Sequence, residues 1–257
     1  MSARLSAGLV LAGLTAASSV AAEPTHITVR VIARDAMFVG DLIEGAQVTV
    51  TDAVSGEMLA QGVTAGEPGE AKRIMDVPRK RGTPLAVETD ARFSATLELD
   101  EPRYVEVTAF GPLKQREGAT KTSMTQWVVP GRHLTGGDGW VLELAGFFVQ
   151  ADLAASSVSR AEAEAGVTVE AEVVPMCGCP VKPGFYWDAD EYEVAVLVKR
   201  GDEPIGRFAL HYAGTASDFT GSVPLTRPGL YHVSVYAFDP ASGNTGVDEV
   251  TLTVRDE

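Results

Sequence analysis

Across 257 residues the chain has two cysteines, four histidines and one asparagine, Asn244. Each scarcity excludes something. Two thiols cannot form a framework of several disulfides, and Asn244 precedes Thr-Gly, so there is no N-x-S/T acceptor for glycosylation. With few histidines and no motif around any serine, a hydrolytic triad has little support. The spacings G-x-S-x-G, G-x-G-x-x-G, H-E-x-x-H and C-x-x-C are absent, as is the phosphate-binding loop. Basic residues are in the minority, 21 Lys and Arg against 35 Asp and Glu, for a net charge of −14. A chain this acidic repels phosphate backbones and anionic lipid surfaces, which excludes nucleic acid as a partner. After residue 22 no run approaches the ~20 apolar residues of a membrane span.

The first 22 residues read as a signal peptide. Arg4 supplies a short positive region, Leu5 to Val20 is apolar and small, and Val20-Ala21-Ala22 places small residues at a cleavage site. Cleavage after Ala22 removes one basic residue and no acid, taking the net charge from −14 to −15. The mature chain is therefore expected to be soluble and periplasmic or secreted, without membrane insertion.

From residue 23 onward the chain alternates with period 2, the pattern of strands with one buried face. "HITVRVIA" aligns Ile27, Val29 and Val31, "RFSATLELD" aligns Phe93, Ala95, Leu97 and Leu99, and "RYVEVTAF" aligns Val105, Val107 and Ala109. Gly and Pro clusters separate these runs. Between residues 153 and 166, "LAASSVSRAEAEAG" has little bulk and no alternation, and reads as an interdomain linker with at most a helical turn. Six further strand candidates lie beyond residue 166. The expected organisation is all-β, two β-sandwich domains in tandem after a cleaved signal peptide: 23–152, the linker 153–166, and 167–257.

Two resemblances support this organisation. "GAQVTVTDAVSGEMLAQGVT", residues 45 to 64, resembles the strand–turn–strand opening of transthyretin-like and carboxypeptidase-regulatory-like sandwiches. "RPGLYHVSVYAFDPASGNTGVDEVTLTV", residues 227 to 254, resembles the last two strands of bacterial immunoglobulin-like domains. The second implies that Tyr231 is the corner tyrosine whose hydroxyl ties the preceding loop to the backbone. Both patterns recur in adhesins, enzyme accessories and binding proteins, so they imply fold and not activity.

The chemistry of the chain concentrates in "VVPMCGCPVKPGFYW", residues 173 to 187. In an oxidising compartment its two thiols have three fates. A Cys177–Cys179 bridge closes a ring too short to remove much unfolded-state entropy. Redox exchange needs a lowered thiol pKa, whereas Pro175, Pro180 and Pro183 indicate an extended loop with only Lys182 nearby. The third fate is a soft metal: Met176, Cys177 and Cys179 form a donor set suited to Cu(I). If the second domain is immunoglobulin-like, His211 and His232 point outward from antiparallel neighbours at the pole that carries this loop, and complete a candidate copper site. The expected function is an exported binding or accessory protein that carries copper at this site. The alternatives are a structural or assembly module with an envelope protein partner, whose cysteines merely pair, and a thiol–disulfide redox protein.

Three further groups invite a plainer reading. Asp188, Asp190, Glu191 and Glu193 lack the glycine turn of a calcium loop and read as solvated acids. Phe185, Tyr186 and Trp187 read as plugs closing the sandwich end, against a docking surface. Trp127, His133, Trp140, Phe147 and Phe148 read as a last hairpin packing on the core, against a ligand cleft.

Overall fold

Alternating apolar residues need a second sheet to bury their inner row, and this chain solves that twice. The computed structural model describes residues 21–114 and 116–256. Apart from Ala21 and Ala22, the expected signal peptide lies outside the described residues.

The first sandwich contains β1 (Glu23–Ala33), β2 (Gln47–Asp52), β3 (Met58–Val63), β4 (Phe93–Leu99), β5 (Arg103–Gly111), β6 (Thr120–Val128) and β7 (Trp140–Leu144). Its sheets run β4-β1-β7 and β3-β2-β5-β6. Ile27, Val29 and Val31 face Val48, Val50, Val105 and Val107 in the expected alternation, and all are buried. The outer face of β1 is covered as well. Buried Arg30 donates through Nη1 to the carbonyls of Asp90 and Ala91 at 2.6 and 3.0 Å, which pins the long β3–β4 connection over the sheet. Asp90 in turn accepts from Arg73 Nη2 through both carboxylate oxygens, at 3.0 and 2.9 Å, so the carboxylate buried there is paired.

The second sandwich contains β8 (Phe147–Leu153), β9 (Ser157–Ser159), the short helix α1 (Arg160–Ala165), β10 (Val167–Pro175), β11 (Glu193–Arg200), β12 (Glu203–Ala209), β13 (His211–Tyr212), β14 (Asp218–Val223), β15 (Gly229–Phe238) and β16 (Thr245–Arg255). Its sheets run β13-β14-β10-β8 and β12-β11-β15-β16-β9. The corner tyrosine is in place: buried Tyr231 donates its hydroxyl to the Arg227 carbonyl at 2.6 Å.

Two expected limits move. β8 pairs with β10 over its whole length, so the first sandwich ends before residue 152 and the connection is the two residues Ala145 and Gly146. The stretch 153–166 is built into the second sandwich: β9 pairs in parallel with β16, and α1 comes next with a capping box between Ser159 and Glu162. That box is written in the sequence as Ser-x-x-Glu, the signature of a helix start. A single contiguous apolar cluster runs through both sandwiches.

The turn between β2 and β3 depends on one carboxylate. Asp52 accepts from the backbone N–H groups of Ser55 and Val54 at 2.8 and 2.9 Å and from Arg103 at 3.2 Å. These bonds favour the charged form and hold its pKa down at about 2. Its contribution to stability is complete above the ordinary aspartate range and is lost as the pH falls from about 4 towards about 2. Asp52→Asn is expected to flatten that part of the acid unfolding profile. A wild-type Asp52 carboxyl that titrates near 4 by carbon NMR would contradict the assignment.

Candidate functional site

Leaving β10 at Pro175, the chain makes a tight turn in which the Gly178 N–H donates to the Pro175 carbonyl at 2.8 Å. Cys177 and Cys179 are bonded to each other, with Cα atoms 5.4 Å apart. Both are 0% exposed, and Met176 is 1% exposed. This corrects the expectation of accessible sulfur donors at the tip of the sandwich. The sulfurs lie within the contiguous core, and the surface that covers them comes partly from the other sandwich. A Cβ placed on Gly178 would meet Ile43 at 3.2 Å and Leu42 at 3.6 Å, both on the 3-10 turn Asp41–Ile43 between β1 and β2. The loop thus fills the joint between the sandwiches. Local sequence gives no sign of this, because the covering residues are over a hundred positions away.

The rest of the loop reinforces the joint. Val181 exchanges bonds with Ser217: its N–H donates to Ser217 Oγ at 3.1 Å, and its carbonyl accepts from Ser217 N at 2.7 Å. Trp187 is buried and donates its indole N–H to the Asp35 carbonyl at the end of β1, at 3.2 Å. Tyr186 donates its hydroxyl to Asp76 Oδ2 at 2.8 Å, and that charged acceptor raises the phenol pKa. Of the three aromatics read as plugs, Trp187 plugs the joint. Phe185 and Tyr186 remain partly exposed, with Lys182 Nζ 4.3 Å from the Phe185 ring centroid.

The two expected histidine ligands are not brought to the loop or to each other. His232 lies on β15 opposite Lys199 and Thr251, whereas His211 lies on β13 opposite Thr220 in the other sheet. Both are exposed, as the alternation predicts. The expected pairing fails at Leu210, where "RFALHY" stops being one strand. β12 stays on β11 while β13 crosses to β14, with buried Leu210 as the pivot. Gly221 permits that crossing, since a Cβ there would lie 2.6 Å from the Ala209 carbonyl oxygen. The five residues Met176, Cys177, Cys179, His211 and His232 therefore form no common site. Among the described residues no group of three or more His, Cys, Asp or Glu is placed to hold a metal ion.

The other two histidines do meet. His26 and His133 have ring centroids 4.6 Å apart, and His133 Nδ1 accepts the His26 backbone N–H at 3.2 Å. This contact ties the 129–139 loop to β1 beside a cleft of about 630 Å³ between β6 and β7, whose walls include Met124, Gln126, His133, Leu134 and Trp140. The aromatic segment read as a last hairpin is thus divided. Trp140 belongs to the first core, Phe147 and Phe148 to β8 of the second sandwich, and Trp127 is exposed against Tyr104 at 5.3 Å.

No family model matches the chain, and no curated protein matches it. Among solved structures it is similar to the fibronectin(III)-like modules of Clostridium thermocellum CbhA, at 13% identity over 93% of either chain and TM-score 0.29. It is also similar to the chicken interferon gamma receptor alpha chain, at 12% identity over 90% of this chain and 98% of that one, TM-score 0.33.

Gly178 and Gly56 provide a matched test of the joint. Their φ values are +75° and +76°, but only Gly178 has neighbours within 4 Å of an added Cβ. Gly56→Ala is expected to cost about 1 kcal/mol, the strain of a left-handed alanine. Gly178→Ala is expected to cost at least a further ~1 kcal/mol from overpacking against Ile43. Urea denaturation measures both, and equal losses would mean that the loop is not packed against the first sandwich.

Proposed function

We propose that this protein is an exported, non-catalytic binding or assembly module with a protein partner in the envelope, in which two β-sandwiches are locked into one body. The observation that carries the proposal is the use of the proline-fenced loop. Its sulfurs, Trp187 and Gly178 are all committed to the joint between the sandwiches. Asn244 adds a second lock: its side chain accepts from Gly146 N at 2.8 Å and donates to the Arg34 carbonyl at 3.1 Å. A fixed angle between domains suits a protein that presents surfaces to partners, since a rigid body loses less freedom on association.

The copper expectation finds no support in this geometry. Cu(I) binding through Cys177 and Cys179 requires reduction of a buried bond and withdrawal of the loop from Ile43, which amounts to opening the joint. Redox exchange faces the same obstacle, because an attacking thiolate needs access to the bond.

Nitrogen-15 relaxation is expected to give one rotational correlation time for both sandwiches, and Asn244→Ala combined with Trp187→Phe is expected to split it into two. In parallel, the native oxidised protein is expected to leave a chromogenic Cu(I) chelator loaded and, with dithiothreitol as the electron donor, not to accelerate the reduction of insulin. Tight copper capture, or insulin reduction abolished by Cys179→Ser, would overturn the assembly reading in favour of a carrier or a redox protein.

A further inference from the structure

We propose that the open edge of β6, with the cleft beneath it, accepts an extended acidic segment of a partner protein by strand addition. This deepens the binding reading above by naming the site and the chemistry of the partner.

Among the described residues β6 is the last strand of its sheet, paired only with β5. The β5–β6 register runs unbroken from Arg103↔Val128 to Gly111↔Thr120, with no bulge. Its sequence, "TKTSMTQWV", contains one lysine and no proline. An edge strand of this length leaves a row of alternating N–H and C=O groups open to another chain, and proteins ordinarily blunt such edges with prolines, bulges or charges. Here the edge is unbroken and carries large apolar side chains: Met124 is 44% and Trp127 63% exposed.

The cleft lies where an added strand would need it. Met124 and Gln126 stand opposite Val107 and Val105, on the row that faces the sandwich interior. They form one wall of the cleft, and Leu134 and Trp140 belong to the others. A strand hydrogen-bonded to β6 would direct every second side chain into this space, which gives side-chain selectivity to an interaction held by main-chain bonds. The wall also has an unmet requirement. Trp140 is 3% exposed, and its indole N–H has no acceptor among the described residues. A buried donor of this kind is uncommon in a native fold, and it makes the indole proton a reporter inside the cleft wall.

Charge selects the occupant. Within a chain of net charge −14, the segment 112–132 carries Lys114, Arg116, Lys121 and Arg132 against the single acid Glu117, a local balance of +3. All four cations are exposed. Glu106, opposite Thr125 on the outer face, is the acid contributed by β5 alongside the edge, and Asp138, whose Oδ1 accepts from the Leu85 and Ala86 N–H groups, lines the cleft, so the acidic side chains of a docked strand would face outward. Symmetric pairing of β6 with a second copy would bring two such basic segments together, which opposes self-association. An acidic extended segment is instead attracted along the edge.

The probes are ten-residue peptides with blocked ends that alternate valine with glutamate, the same peptides with lysine for glutamate, and the glutamate series with proline at alternate positions. Fluorescence anisotropy is expected to show the glutamate peptide binding at least tenfold tighter than the lysine or proline forms. Amide exchange is expected to slow across residues 120–128, and the Trp140 indole proton resonance is expected to shift. Met124→Glu is expected to weaken binding at least fivefold. Of Thr125→Pro and Gln126→Pro, the one that keeps the native melting temperature removes an outward N–H and is expected to abolish binding; if neither folds, Met124→Glu decides. Indifference to peptide charge, unprotected β6 amides, or an unaffected Met124→Glu variant would overturn the proposal. So would β6 protection that grows with protein concentration in the absence of peptide. Failure here leaves the relaxation test of the rigid joint unaffected, so the two readings can be rejected separately.

Discussion

Two sandwiches joined by only two residues must satisfy the backbone groups that their junction buries, and this constraint shapes the centre of the molecule. The carbonyls of Arg34 and Asp35 at the end of β1, and the N–H of Gly146 in the connection, point into the joint. Water cannot reach such groups freely, and leaving one unpaired costs about 1–3 kcal/mol. Trp187 satisfies Asp35, while Asn244 satisfies both Arg34 and Gly146. The carboxamide accepts through its oxygen and donates through its nitrogen, so one side chain serves both groups. Aspartate would leave the Arg34 carbonyl without its donor, and alanine would abandon both groups. The only asparagine in the chain is thus required by the joint, where its scarcity had suggested nothing beyond the lack of a glycosylation site.

The cysteine pair answers to the same constraint. A bridge that closes so short a ring does little to the unfolded ensemble. What it does in the folded state is fix the shape of a small apolar knob. Gly178 keeps the knob narrow enough to sit on Ile43, and Val181, bonded on both sides to Ser217, holds the descending arm. Prolines at 175, 180 and 183 restrict the loop before it docks, so less freedom is lost when it does. Thiol chemistry and packing demand opposite exposures of the same sulfur atoms, and the second sandwich meets the first at the place where the thiols would otherwise be accessible.

Strand positions were largely legible because period-2 burial is a local property. The inner rows Ile27, Val29, Val31 and Val105, Val107, Ala109 are buried as the alternation requires. Sheet membership was not legible. "RFALHY" alternates without interruption although Leu210 divides it between two sheets, because a crossing strand keeps its alternation while changing partners. His211 and His232 consequently point outward as expected yet lie on different sheets. The linker reading failed for a related reason: Ser159 and Glu162 were visible as a helix start, but the parallel pairing of β9 with β16 is a contact across a hundred residues. Arg30 was missed because a charged residue in an alternating strand reads as solvent-facing, and only the fold shows that a loop covers it.

The same logic of edges separates the two sides of the first sandwich. The sheets approach each other on both sides, β3 to β4 and β6 to β7, but β3 carries a register break opposite Val50 and Thr51. In the second sandwich, β12 has both a register break and Pro204, β13 has two residues, and β9 has three. Each of these edges is short or irregular, the usual protections against unwanted pairing. β6 has nine residues, an unbroken register and a cleft at its side lined by Met124, Gln126 and Leu134. Among the described edge strands β6 is the longest; β7 and β8 also keep an unbroken register but run for five and seven residues. In the rigid body proposed above, a strand that docks on β6 would be held at a fixed angle to the whole second domain.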